Sequence, residues 1–185
     1  MTEKLGVLGE LLGDLEISEF AAEWIERSEN DENAIRQVYG LLRKYNVKQE
    51  KIAAQAHLLG RDPETIERNY RHHVGLLRGD WKDRNSGKSL LLKHAELLGI
   101  PPETIEANVQ YLNSIGTDYN DGMLLGTTPQ TKRRKLGWLL REVFDYGKVP
   151  EEQKRETVYN LYDFVKEHPS ILIKSIKTLT TRKEN

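Results

Sequence analysis

The chain has 185 residues, a formal net charge of −1 and a mean hydropathy of −0.67. It contains no cysteine, which excludes disulfides, thiolate metal sites and cysteine nucleophiles. No apolar run approaches the roughly 20 residues that a membrane span needs. Absence of cysteine also fits a reducing compartment, so the composition predicts a cytoplasmic protein without a membrane anchor.

Apolar residues recur at helical spacing along the chain, and glycine and proline separate the stretches. We expect a left-handed glycine to end four of the helices, at Gly60, Gly99, Gly116 and Gly147. Prolines open the stretches that follow, at Pro63, Pro102, Pro129 and Pro150, and Asp62 and Thr128 are candidate N-caps. The pattern predicts an all-α protein with helices near 3–12, 18–29, 32–45, 48–59, 63–78, 88–98, 102–115, 129–146, 150–167 and 170–181.

Part of the sequence is repeated. Residues 52–76 and 91–115 are offset by 39 positions and are identical at ten of 25. A helix pair that recurs at this interval is typical of stacked helical repeats, either a short solenoid or an orthogonal bundle. We therefore expect one all-α domain, 1–185, made of an acidic helical cap (1–45), two repeats (46–116) and C-terminal helices (117–185).

Each copy resembles a helix-turn-helix DNA-binding unit. The resemblance rests on a small residue, a glycine four positions later and a β-branched residue six positions after that: Ala56, Gly60 and Ile66, then Ala95, Gly99 and Ile105. It implies that the second helix of a copy faces DNA. Arg68 and Arg71 fit that role in the first copy, whereas residues 101–131 contain no Lys or Arg, which favours a structural role for the second copy.

Two segments, 96–116 and 166–179, are also similar to the helical repeats of the mitochondrial transcription termination factor family. Those repeats combine a leucine-rich helix, a glycine turn and a short helix that begins with proline. The resemblance implies a curved stack whose basic concave face holds nucleic acid. The segment TTPQT at 127–131 fits this pattern less well, because the expected leucines are missing.

Charge alternates in blocks along the chain. Residues 1–35 carry ten acidic and two basic side chains, and residues 36–100 carry seven acidic and 13 basic ones. Residues 101–131 carry four acidic side chains and no basic one, and residues 132–185 carry eight acidic and 13 basic ones. Such blocks predict two basic surfaces separated by acidic ones, or else solvated faces that attract each other within the molecule.

Two basic clusters contain a tryptophan, and an aromatic ring between cations can stack on a base while the cations hold phosphate. The first predicted patch comprises Arg68, Arg71, Arg78, Trp81, Lys82, Arg84 and Lys88. The second comprises Lys132, Arg133, Arg134, Trp138 and Arg141. The alternative is that both clusters are solvated and that Trp138 packs against a neighbouring helix.

Enzyme motifs are incomplete in this sequence. Ser86-Gly87-Lys88-Ser89 lacks the earlier glycine of a phosphate-binding loop, and residues 118–122 lack the final glutamate of a calcium loop. His73 lies on an apolar stripe, as a packed core histidine would. We therefore expect no enzyme activity, no cofactor and no metal.

The sequence favours non-catalytic nucleic-acid binding, with duplex DNA ahead of RNA. The alternative is a protein-interaction scaffold that binds a peptide or subunit in a helical groove. The acidic segment 1–35, with Phe20, Trp24 and Ile25 on one helical face, belongs to that second hypothesis as a partner's docking helix or an internal cap.

Overall fold

The computed structural model describes residues 2–77, 86–117 and 122–175. These residues contain no strand, which confirms the all-α prediction. The helices in chain order are α1 (Glu3–Leu12), α2 (Glu19–Arg27), α3 (Glu32–Lys44), α4 (Gln49–Ala54), α5 (Pro63–Leu76), α6 (Ser86–Lys93), α7 (Pro102–Ser114), α8 (Gly122–Gly126), α9 (Pro129–Glu142) and α10 (Lys154–Glu167). Within the described residues, no helix has the length and apolar character needed to cross a membrane.

Short 3₁₀ turns account for most differences from the predicted helix ranges. They are Ala56–Gly60, Ala95–Gly99, Tyr146–Lys148, Glu151–Gln153 and Pro169–Leu172. The ranges 48–59 and 88–98, predicted as continuous helices, are each broken once, at Gln55 and at His94. Helix α8 was not predicted, and the range 170–181 extends beyond the described residues.

The repeat is present in the local structure of both copies. In both copies an α-helix, a break, a 3₁₀ turn and a helix that begins with proline follow each other. The end of the first helix, the 3₁₀ turn and the start of the second helix are each offset by 39 residues. The residues of the repeat that we expected to pack closely are buried: Ala56, Ile66 and Ile105 are 0% exposed, and Ala95 is 1% exposed. The N-cap predictions are confirmed as well, since Asp62 and Thr128 accept hydrogen bonds from the backbone N–H of Thr65 and Thr131.

A third copy of the turn lies at 124–131, where we expected only a weak resemblance. The three copies read LLGRDPET (58–65), LLGIPPET (97–104) and LLGTTPQT (124–131). The buried isoleucine that follows in the first two copies, Ile66 and Ile105, is replaced in the third by Lys132, which is also 0% exposed. A charged residue at an apolar position conceals this copy in the sequence.

Three asparagines at intervals of 39 residues hold these turns. Each donates its amide N–H to the carbonyl of the second leucine of one turn: Asn30 to Leu59 (3.1 Å), Asn69 to Leu98 (2.8 Å) and Asn108 to Leu125 (2.7 Å). The asparagine of one copy thereby bonds to the turn of the next copy. This chain of hydrogen bonds satisfies buried backbone carbonyls that the 3₁₀ and α-helical turns leave open.

The predicted left-handed glycines are only partly correct. Gly116 has φ +65°, as expected, but Gly60, Gly99 and Gly147 do not have positive φ. Gly60 and Gly99 are instead required by close packing. A Cβ atom at Gly60 would lie 2.9 Å from Cδ1 of Trp24, and one at Gly99 would lie 2.9 Å from Cδ2 of Leu58.

Gly60→Ala should therefore lower the free energy of unfolding by about 1–3 kcal/mol, because the added methyl group overlaps the Trp24 ring. Gly40→Ala is the matched control, since nothing lies within 4 Å of a Cβ atom there and the position is inside α3. The free energy of unfolding of this control variant should increase by up to about 1 kcal/mol, because alanine has a higher helix propensity than glycine. Urea denaturation of both variants measures the contrast, and equal effects of the two changes would rule out the packing explanation.

The described chain divides into two compact units, Met1–Pro102 and Glu103–Asn185. Leucine, isoleucine and valine fill each core; Ile35, Val38, Leu58 and Leu59 belong to the first, and Leu112, Leu124 and Val165 to the second. Folding of the whole chain as one domain stays a prediction.

Candidate nucleic-acid interface

Helix α9 carries the second predicted basic patch. Thr128 caps its first turn by accepting a hydrogen bond from the N–H of Thr131 at 3.3 Å, and Pro129 occupies the first helical position. Leu136 and Leu139 bury one side of the helix in the core of the second unit. The opposite side of α9 faces solvent.

The exposed side of α9 forms an open depression of about 470 Å³. Its lining residues recur at helical spacing: Gln130, Arg133, Arg134, Gly137, Trp138 and Arg141. Gly137 contributes no side chain to this face, and Trp138 next to it is half-buried. We call this set of residues the α9 face.

The three arginines of the α9 face, Arg133, Arg134 and Arg141, are exposed and form no ion pair with any carboxylate that the structure describes. Arg133 lies over the Tyr111 ring, with 5.3 Å between the guanidinium carbon and the ring centroid. Guanidinium groups without acidic partners are available to bind phosphate in a bidentate manner.

The cations of helix α10 have local partners. Lys154 and Lys166 on α10 bond to Glu151 and to Asp163 (3.0 Å), and Arg155 donates a hydrogen bond to the Tyr159 hydroxyl at 3.3 Å. Helix α10 therefore provides a matched comparison for the α9 face, with three cations of similar position but with local partners.

Lys132 does not belong to this exposed surface, which corrects the predicted patch. Its side chain is 0% exposed, and its ammonium donates to Oδ1 of Asn108 and to the backbone carbonyl of Thr127. An ammonium in this position cannot reach a phosphate in solvent. Lys135, the last residue of the same basic run, is also buried, with 7% of its surface exposed.

Burial changes the titration of Lys132. Desolvation, assisted by the like charge of Lys135, lowers the pKa of Lys132 from 10.5 to about 8. Both partners of the ammonium are neutral carbonyl oxygens, so no carboxylate among them offsets the desolvation. Lys132 has a structural role, as the residue that binds Asn108 in the third copy of the turn.

The first predicted patch lies partly outside the described residues, which exclude Arg78, Trp81, Lys82 and Arg84. Arg68 and Arg71 are exposed one turn apart on α5, and Lys88 is exposed on α6. Arg71 forms an ion pair with Glu67 at 2.7 Å, unlike the arginines of the α9 face. This patch stays a prediction.

His73 is the packed core histidine that its position on the apolar stripe predicted. It is 0% exposed, and its Nε2–H donates to the carbonyls of Leu97 (3.0 Å) and Ile100 (3.2 Å). Burial lowers the pKa of the imidazole. Elsewhere in the described part of the chain, no group of three or more histidine or acidic side chains is placed to hold a metal ion.

Sequence reasoning missed two members of the α9 face, Gln130 and Gly137. Gln130 lies four residues before Arg134 and Gly137 lies three residues after it, so helical spacing from Arg134 would have found both on the same side of the helix. Comparison of the chain with protein-family models, curated proteins and solved structures found no match.

Proposed function

We propose that the protein binds nucleic acid without catalysis, duplex DNA ahead of RNA, and that the α9 face makes the contact. The observation that carries the proposal is the set of three exposed arginines that have no carboxylate partner among the described residues and that line the same depression as Trp138. Phosphate neutralisation by arginine supplies most of the affinity in such interfaces. The helix-turn-helix and termination-factor resemblances support the same class of function.

The spacing of the arginines suits a polyphosphate backbone. Arg134 and Arg141 are seven residues apart, so they are separated by roughly 10 Å along the helix axis. Residues between them on the α9 face add no negative charge. The face therefore offers two cationic positions with an aromatic ring between them, which is the arrangement that backbone contacts require.

Replacing Arg133, Arg134 and Arg141 by alanine should flatten the salt dependence of binding. For duplex DNA, log affinity falls with log salt by about 0.9 per phosphate contacted, so the triple variant should lose up to about 2.7 from the slope. Fluorescence anisotropy of labelled duplex DNA, single strands and RNA, over a range of salt concentrations, measures this change. It also ranks the three nucleic acids.

The control replaces Lys154, Arg155 and Lys166 on α10 by alanine. It removes the same number of positive charges from exposed or half-exposed positions that have local partners. We expect the slope of this variant to remain close to that of the parent. Equal slopes for the two triple variants, or no binding by the parent at about 100 mM salt, where the Debye length is about 10 Å, would contradict the proposal.

The alternative function, a protein-interaction scaffold, is favoured by a different observation. Phe20 and Trp24 on α2 are 65% and 38% exposed, although α2 buries Ala21 and Ile25 on its other side. Exposed aromatic pairs of this kind are typical anchors of protein interfaces.

A further inference from the structure

An apolar knob projects from helix α2. Phe20 is 65% exposed, and its ring centroid lies 6.3 Å from that of Trp24 and 6.5 Å from that of His57. Leu15, five residues earlier in the chain, is exposed as well (36%). Clusters of exposed apolar side chains with a charged rim mark interaction sites.

Packing holds this knob in position. Trp24 lies against Gly60, which has no Cβ atom to displace it, and the Arg61 guanidinium lies 5.0 Å from the centre of the indole. The Phe20 ring is therefore presented by a neighbour that is already ordered. A preorganised aromatic anchor loses little conformational entropy when it docks.

The rim of the knob is acidic. Glu19 and Glu23 are exposed one helical turn apart beside Phe20; Glu23 pairs with Arg27 at 3.2 Å, and Glu19 has no ion-pair partner among the described residues. Burial lowers the pKa of His57, the imidazole next to the Phe20 ring. We call Glu19, Phe20, Glu23 and Trp24 the α2 knob.

The α9 face is complementary to the α2 knob in shape and in charge. It is an open depression whose lining includes Gly137, whereas the knob carries the exposed ring of Phe20. Arg133 and Arg141 stand four residues before and four residues after Gly137, and the carboxylates of Glu19 and Glu23 stand one helical turn apart beside Phe20. Opposite charges around an apolar contact steer association and fix its orientation.

We infer that the α2 knob of one copy docks into the α9 face of a second copy of this chain, with Phe20 over Gly137. The two surfaces differ, so the contact is heterologous and association continues past a dimer unless a ring closes. Self-association needs no nucleic acid and is measured in its absence, so its outcome is independent of the proposed function.

Sedimentation velocity of the full chain, from micromolar to submillimolar concentration, tests the inference. At about 0.1 M salt we expect the average mass of the sedimenting species to increase with protein concentration. At about 1 M salt the Debye length is about 3 Å instead of about 10 Å, and we expect a lower mass at the same protein concentration. Phe20→Ala removes the knob, and Gly137→Gln fills the depression without changing charge. Each should weaken association about tenfold or more.

Both variants should fold, because Phe20 is exposed and a Cβ atom at Gly137 would meet only Nη1 of Arg141, at an ordinary 3.6 Å. Tyr159→Ala is the matched control, since Tyr159 is a comparably exposed aromatic residue (57%) on α10 and should leave association unchanged. A parent chain that stays monomeric throughout would overturn the inference. So would association that Phe20→Ala abolishes and Gly137→Gln does not, since the knob would then dock elsewhere.

Discussion

Replacing Asn108 by leucine should lower the free energy of unfolding by about 3 kcal/mol or more. Asn108 is 0% exposed, and its side chain both accepts from the Lys132 ammonium and donates to the Leu125 carbonyl. Leucine has a similar volume but neither group. The ammonium would remain buried with the Thr127 carbonyl as its one remaining hydrogen-bond partner among the described residues, and removal of one partner from a buried charge is strongly destabilising.

Asn69→Leu is the matched control for Asn108→Leu. Asn69 is the equivalent residue of the first copy and donates to the Leu98 and Ile100 carbonyls, but its Oδ1 atom is buried without a hydrogen-bond partner. Replacing Asn69 leaves no buried charge without a partner. We therefore expect the free energy of unfolding to decrease by a smaller amount, about 1–3 kcal/mol. Chemical denaturation of both variants measures the difference.

A double variant separates the charge from the packing. Lys132→Met restores an apolar side chain at the position that Ile66 and Ile105 occupy in the other two copies. Combined with Asn108→Leu, it should recover more than about 1 kcal/mol of the loss, because an apolar replacement of a buried polar pair is often close to neutral. Additive effects of the two substitutions would show that Lys132 and Asn108 do not interact.

Stability should also increase with pH because of Lys132. In the unfolded chain its pKa is near 10.5, and in the folded protein it is lowered to about 8. Between these values the unfolded state binds more protons than the folded state, so the free energy of unfolding increases as pH increases. This difference in pKa corresponds to an increase of about 3 kcal/mol in the free energy of unfolding between pH 7 and pH 10.5. The pKa of Lys135 is also lowered by burial and acts in the same direction.

Urea denaturation at several pH values between 7 and 10, on the parent and on Lys132→Met, measures this contribution. Buried tyrosines oppose the trend at the upper end, because burial raises the pKa of Tyr45 and of Tyr111. They are present in both proteins, so the difference between the two curves isolates Lys132. Parallel curves would contradict a buried, easily deprotonated lysine.

Much of the fold follows from local signals in the sequence. Proline at the first helical position, the caps Asp62 and Thr128, and the apolar spacing within α5 and α9 depend on neighbouring residues, so the positions of these helices could be predicted. The identity of ten positions in 25 likewise predicted two equivalent local structures, which the offset of 39 residues confirms.

What escaped prediction depends on contacts between distant residues. A glycine required for a positive φ and a glycine required for close packing look the same in sequence. The prediction of a positive φ at Gly60 is wrong because its packing partner, Trp24, lies 36 residues away in the chain. Because lysine is rarely buried, the sequence predicts Lys132 at the surface. Its burial is explained by the hydrogen bonds that its ammonium donates to Asn108 and Thr127.

The candidate site was predictable in part for the same reason. Arg134, Trp138 and Arg141 share a helix face through their spacing, whereas the availability of the arginines depends on carboxylates that the sequence does not place. The contrast between the α9 face and the paired cations of α10 became evident only when their partners were known.

Photo-crosslinking of labelled DNA to the full chain, followed by mass mapping of the tryptic peptides, tests the location of binding most directly. The account predicts crosslinks in the peptide that contains Trp138, between the arginines of the α9 face, and their loss when Arg133, Arg134 and Arg141 are alanine. Crosslinks confined to α10 or to other segments, or none at a salt concentration of about 100 mM, would contradict it.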